Sequence, residues 1–309
     1  MILLRRLQGY WLMIHPFPVM MVVMLATVLA VATARESTDW SRLVRAMATL
    51  FFSQVVVGIS NDYHDRALDA QADSLSQALA SFGENPPTGK SNRRGLARKP
   101  LAHGVVTPGE ARALIVAAFV LMLALAVSLG PMIVLLALLG TFAGILYNFW
   151  LRGTPFSWFP YVLGFVVLPI FVWVSMERFD ARQLILVPMG LPLLVGVHLA
   201  QTLPDTETDR ALGGRGFAVT LGRARGVVVV WSALIGAQML ALVTALALDS
   251  NLEIVLLAAG VSFALVAASI ALYHRAPTSA TLRVVFHLVA PSAVILVAGW
   301  LAALQSIGR

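Results

Sequence analysis

Reading along the chain for apolar stretches of roughly 17 to 25 residues, the length that crosses about 30 Å of hydrocarbon as helix, gives nine: 11–33, 44–60, 110–129, 131–150, 157–176, 183–200, 226–248, 252–273 and 284–304. The pattern predicts an all-α, polytopic membrane protein with nine transmembrane helices. The first run follows Arg5 and Arg6 and ends in AVATA, which mimics a secretory signal with its small-residue cleavage site. Its length favours a retained helix, with His15-Pro16 and Pro18 near the start, where a first turn tolerates proline. The second run is short, and Gly58 and Ser60 in VVVGIS predict that it stops or bends just before Asn61.

Composition supports the membrane assignment. At 59% hydrophobic and 12% charged, with a mean hydropathy of +0.84, the 309 residues lie outside the range of a soluble domain. A net charge of +7 suits loops that face the cytoplasm and anionic lipid, and it needs no nucleic-acid partner. The chain has no Cys, which excludes disulfides, thiolate zinc sites, haem attachment and a sulfur nucleophile. Any metal is left to oxygen ligands or to the six His.

Of the 22 Lys and Arg, 16 fall on the side of the N-terminus and 6 on the other. The excess marks the cytoplasmic face, so the N-terminus is expected inside, in an inner (cytoplasmic) membrane. Residues 61–109 form the one large polar segment, whose middle, SFGENPPTGKSNRRG, has the composition of a flexible surface stretch. It reads as a lid or linker which, with a second loop at 201–225, belongs to a single membrane-embedded domain over 1–309.

Two acidic clusters interrupt this pattern: ISNDYHDRALDAQAD at 59–73 and HLAQTLPDTETDRALGGRGFAVTLG at 198–222. Four runs separate them, an even number, so both emerge on the same face of the membrane. If helix continues through them, Asn61, Asp65, Asp69 and Asp73 stand at successive i, i+4 positions, with Asp62 alongside, and Asp205 and Asp209 repeat the spacing. Carboxylates so placed repel one another by a few tenths of a kcal/mol per pair. A divalent cation would turn that repulsion into a site.

Oxygen ligands favour Mg²⁺ before Ca²⁺ or Mn²⁺, and Mg²⁺ is usually held by one or two carboxylates plus substrate phosphates. Two half-sites facing each other across a polar mouth fit a diphosphate bridged by two or so Mg²⁺. Lys90, Arg93, Arg94, Arg98 and Lys99 follow the first cluster, Arg152 follows the fourth run, and Arg210 and Arg215 follow the second cluster, all able to clamp phosphate oxygens. Tyr147 in LYNFW adds a hydroxyl. Charges at helix ends are commonly no more than solvated loop, but acidic residues contribute little to topology, so orientation alone does not account for two such clusters.

NDYHDRALD resembles the NDxxDxxxD motif of the UbiA superfamily of intramembrane prenyltransferases, and DTETD resembles its second, DxxxD motif. RKPLAHGVVTP and GGRGFAVTLG are similar to the stretches that follow each motif in that family. The resemblance implies a helical bundle around a central cavity, a cytoplasmic polar cap holding Mg²⁺ and prenyl diphosphate, and a hydrophobic acceptor reached from the lipid. It implies Asn61, Asp65, Asp205 and Asp209 as metal ligands and catalytic residues, with Asp62 and Asp69 as supporting acids in the metal set. Tyr147 and Arg152 match positions near the allylic carbon and diphosphate, with Lys90, Arg94, Arg98, Lys99 and Arg210 on the diphosphate. Three features depart from the family: Lys99 replaces the usual Arg before Pro100, about twenty extra residues follow Asp69, and His15-Pro16 stands where an Arg-Pro pair is common.

The acceptor is left open between a quinone precursor or tetrapyrrole and a carotenoid or sugar phosphate. A transporter would place ionisable groups near the midplane, whereas here they gather at helix ends. A non-catalytic lipid-binding protein would show no Mg²⁺ dependence. His64 is read as solvated or hydrogen-bonding rather than as a proton carrier. His198, seven residues before Asp205, is read equally as cavity lining and as helix packing, and Met20, Met21 and Met24 as lipid-facing or packing residues.

Overall fold

The computed structural model describes residues 2–33, 38–81, 99–211 and 213–304, and among them it is helical with no strand. The helices are α1 (Ile2–Met13), α2 (Pro16–Ala32), α3 (Trp40–Ser81), α4 (Pro108–Val127), α5 (Pro131–Leu146), α6 (Trp158–Ser175), α7 (Leu186–Thr202), α8 (Thr206–Ala211), α9 (Phe217–Ala247), α10 (Leu252–Arg275) and α11 (Ser279–Leu304). A π-helical turn, Tyr147–Leu151, extends α5, and short 3-10 turns flank α7 at Ala181–Ile185 and Leu203–Asp205. Among the described residues eight helices are long and apolar enough to cross a membrane, and a ninth crossing results if α1 and α2 count as one span bent by 47°.

Three sequence expectations change. The first span is not a single helix over 11–33: helix begins at Ile2, breaks at Ile14 and His15, and restarts with Pro16 at its first turn. His15 takes a left-handed conformation there (φ 53°). The second helix does not stop before Asn61 but runs on to Ser81, so the first part of the segment read as a loop is helix. Gly58 does not break it. A Cβ at 58 would lie 3.2 Å from His15 Cδ2 and within 3.7 Å of the Met13 and Ile14 carbonyls, so the small residue admits the break of the first span. Finally, α9 starts at Phe217, nine residues before the apolar run, with a kink at Gly222 (φ 73°).

The chain forms two compact units, Met1–Trp150 with Val167–Phe179, and Leu151–Val166 with Asp180–Arg309. In the first, α3 packs against α2, α4 and α5, over a core that includes Met13, Val55, Ile59, Val106 and Ala111. Tyr10 donates to Glu110 Oε1 at 2.9 Å, while the other oxygen of Glu110 completes a capping box with Thr107 at the start of α4. In the second unit α9 packs on α7 and α10, and α11 on α10 and α7. Small polar pairs tie these apolar helices together: Trp231 Nε1 to Ser269 Oγ (3.1 Å), Gln238 Nε2 to Ser262 Oγ (2.9 Å) and Trp300 Nε1 to Thr244 Oγ1 (2.8 Å). In hydrocarbon, where no water competes for these groups, such bonds add to the van der Waals packing. Met20, Met21 and Met24 are exposed on α2, as side chains facing lipid tails would be.

Candidate active site

In the first unit, motif one occupies one continuous helix, so Asn61, Asp65, Asp69 and Asp73 do stand one turn apart along α3. Their surroundings differ. Asp62 is 2% exposed; its Oδ2 lies 3.1 Å from His15 Nε2, and its Oδ1 3.5 Å from Lys99 Nζ. Lys99 Nζ also reaches Asp69 Oδ2 at 2.8 Å. His64 Nδ1 lies 3.1 Å from Asp65 Oδ1, a hydrogen-bonding role in agreement with the sequence reading. Asn61 is half-buried beside these acids.

Lys99 is delivered by a tight turn in which the Val105 and Val106 amides both donate to the Pro100 carbonyl and Gly104 takes φ 69°. The turn packs on α1 at Gly9, where a Cβ would come within 3.1 Å of Val105 and Val106. Burial alone would lower the Lys99 pKa. The hydrogen bond with Asp69 and the charges of Asp62, Asp69 and Asp65 outweigh it and hold the ammonium above its ordinary value.

The π-helical turn after α5 inserts one extra residue per turn and so re-aims the side chains of LYNFW. Asn148 is buried and donates from Nδ2 to the Val57 carbonyl at 3.0 Å. Phe149 packs against the His64 ring at a tilt of 55°, with centroids 4.7 Å apart. Tyr147, half-buried, begins this turn.

In the second unit, motif two does not continue α7 as regular helix. Pro204 lacks an amide hydrogen, the chain tightens into the 3-10 turn ending at Asp205, and Asp209 lies in the six-residue α8. That helix closes through Gly213 (φ 79°) and the Gly214 amide, which donates to the Asp209 carbonyl at 2.8 Å. Asp205 and Asp209 are both exposed. Partial loss of water and the Asp205 charge push the Asp209 carboxyl above its usual range, against the opposing pull of Arg152.

Arg210 is engaged inside this segment, 2.9 Å from Glu207 and donating to the Val219 carbonyl at 3.2 Å. Glu207 is also 3.7 Å from Arg223, whose guanidinium donates to Ser279 Oγ. His198 is buried, its Nε2 3.3 Å from Ser157 Oγ and its ring 4.9 Å from that of Tyr161.

Lys90, Arg93, Arg94 and Arg98 lie outside the described residues. Sequence reasoning did not assign a role to Asn148, Phe149 or Ser157, and it saw His15 only as a departure from a motif. A polar residue in an otherwise apolar span was the available signal for Asn148 and Ser157. Among the described residues no three His, Asp or Glu side chains gather into a cage of their own. Each unit by itself offers a pair of hard oxygen donors, Asn61 and Asp65 on α3 in the first and Asp205 and Asp209 in the second. Each pair is of the chemical kind that suits Mg²⁺ completed by water or substrate oxygens.

The UbiA prenyltransferase family model matches residues 20–290. The chain belongs to that family and is an intramembrane prenyltransferase. A search of curated protein sequences found no match. Solved structures share the fold across nearly the whole length. One, from work on digeranylgeranylglyceryl phosphate synthase in membranes, has a TM-score of 0.72 at 15% identity, covering 96% of this chain and 98% of that one. A UbiA homolog from Archaeoglobus fulgidus bound to DMAPP and Mg²⁺ gives 0.70 at 15% identity, with 96% and 99% covered. The apo UbiA homolog from Aeropyrum pernix K1 gives 0.63 at 18%, with 93% and 98% covered.

Proposed function

We propose that the chain transfers a prenyl group from a prenyl diphosphate to a hydrophobic acceptor, an aromatic quinone precursor or a tetrapyrrole, and releases diphosphate. The observation that carries this reading is the continuous helix through motif one, which sets Asn61 and Asp65 one turn apart on α3. Asn61 and Asp65 in the first unit, and Asp205 and Asp209 in the second, would each hold Mg²⁺. Metal held by these residues would supply Lewis-acid neutralisation of diphosphate charge, which favours its departure.

The bond between the allylic carbon and the diphosphate oxygen breaks, and its electron pair leaves with the diphosphate. A carbon or oxygen of the acceptor forms the new bond, and its proton passes to diphosphate or water. Arg152, close enough to Asp209 to stabilise its charged form, adds positive charge for the departing group. Tyr147 contributes a hydroxyl near the allylic end. Apolar helices shield the developing cation from water. The N-terminus and both motifs face the cytoplasm in this reading, which the excess of Lys and Arg on that side supports.

The test is diphosphate release in liposomes from prenyl diphosphates of several lengths against a panel of acceptors, with and without Mg²⁺. Release that needs Mg²⁺ and one acceptor, and that falls at least ~10²–10³-fold in Asp65→Asn and Asp209→Asn, supports the reading. Undiminished turnover in those variants overturns the site.

A further inference from the structure

The broken first span brings to motif one a side chain that the reaction does not use. His15 sits at the break between α1 and α2 in a left-handed conformation (φ 53°, ψ 58°), which residues with a Cβ avoid unless their surroundings impose it. What surrounds it is motif one. Its Nε2 is 3.1 Å from Asp62 Oδ2, and its Cδ2 lies 3.2 Å from where a Cβ on Gly58 would be, one turn earlier on α3. Both polar atoms are buried, yet their approach falls short of hydrogen-bond geometry. The contact is therefore a close electrostatic one, in which each atom is the other's partner.

Asp62 is thus occupied on both sides, by His15 on Oδ2 and Lys99 on Oδ1, at 2% exposure. Mg²⁺ keeps several of its waters when it binds protein, and a carboxylate so enclosed has no room for them. The helix makes the division geometric. At 3.6 residues per turn, positions 62 and 69 fall within about 20° of each other around α3, and 61 and 65 within about 40° on the adjoining edge. Lys99 and His15 take the first edge.

Resting on the functional reading above, we propose that His15 is a positioning residue. With Lys99 it holds Asp62 as a buried anchor, which fixes the rotation of α3 so that Asn61 and Asp65 meet the metal and Asp62 does not. His15 touches no substrate. It acts through Asp62, and it links the bent first span to the metal half-site.

The test uses full-length protein in nanodiscs, with Mn²⁺ in place of Mg²⁺ and inorganic diphosphate present, and reads bound Mn²⁺ by electron paramagnetic resonance. Metal-free melting checks folding. His15→Gln removes the partner of Asp62, and Gly58→Ala displaces the His15 ring while leaving every charge in place. Both are expected to weaken Mn²⁺ binding about tenfold or more, the scale for losing a group that orients a metal ligand. His15→Arg, which returns a donor that reaches Asp62, is expected to restore binding to within about threefold of wild type.

Should His15→Gln fail to fold, Gly58→Ala decides. Equal Mn²⁺ binding in wild type and a folded variant overturns the inference alone. Weakened binding that Arg does not restore also overturns it, since His15 would then serve packing only. Wild-type protein that binds no Mn²⁺ with diphosphate overturns the functional reading, and the inference with it.

Discussion

Val57 on α3 occupies the space that a side chain on Gly144 of α5 would need: a Cβ at 144 would lie 2.6 Å from both Val57 methyl groups. The same residue accepts the Asn148 hydrogen bond on its carbonyl, so the contact seats the π-helical turn against the motif-one helix. Gly144→Ala is expected to destabilise the protein by about 1–3 kcal/mol through overpacking. Val57→Ala in the same chain opens the space, so the double variant should melt higher than the two single losses added together. Thermal denaturation in detergent of the four proteins measures the coupling.

Asp209 carries its charge at a cost in stability. Its folded-state pKa is raised by desolvation first and by Asp205 second, so ionising it costs folding free energy. That cost is absent well below the usual Asp value of about 3.9 and complete once the pH exceeds the folded value. Asp209→Asn is therefore expected to raise the metal-free melting temperature at neutral pH, while the gain disappears toward pH 3. Turnover in the same variant falls by ~10²–10³. Melting curves against pH without metal give the first result and diphosphate release the second.

Lys99 behaves in the opposite sense. A raised ammonium pKa adds stability that is fully present below the ordinary Lys value of about 10.4 and lost as the pH rises through the folded value. Between pH 6 and 9 the contribution is flat. Lys99→Met leaves the buried Asp62 with one partner fewer, and a cost of about 1–3 kcal/mol is expected from an under-satisfied buried group. Denaturant titration at pH 7 tests the magnitude, and repeating it at pH 9 should give the same value.

At Gly222 the backbone of α9 takes φ 73° and ψ 165°, and a Cβ there would be 3.7 Å from the Arg210 guanidinium. Gly222→Ala strains the kink itself, because a positive φ with ψ near 165° is essentially confined to glycine and costs a residue with a Cβ about 1–3 kcal/mol. The expected result is a lower melting temperature, with Gly236→Ala, which has open space in the same helix, as the neutral control.

The apolar runs predict the spans well because long hydrophobic stretches have few alternatives to membrane helix. Their ends are where the reading fails, each time because a polar or small residue has a partner that a linear pattern cannot see. Gly58 and Ser60 look like a stop, but Gly58 is small to admit His15. The helix 2–13 is hidden by Arg5, Arg6 and Gln8, and Arg6 is paired with Glu110. Arg223 and Arg225 place the start of α9 too late, although Arg223 is spent on Glu207 and Ser279. In the site, the spacing of Asn61, Asp62, Asp65 and Asp69 shows a shared helical face. It cannot show that one edge of that face is already taken by Lys99, which lies thirty residues beyond Asp69.

The unbroken course of α3 joins two scales. The helix holds 42 residues, about 63 Å of rod, and its candidate span, Trp40–Ala67, already exceeds the roughly 30 Å of a bilayer core. Asn61 and Asp65 lie in the last turns of that span, so no hinge separates their depth from the tilt of the rod. Acyl-chain length then acts on these two residues: thinner lipid makes the rod lean and changes how far their oxygens stand from the headgroups. If Asn61 and Asp65 hold the metal as proposed, bilayer thickness becomes a variable of the chemistry.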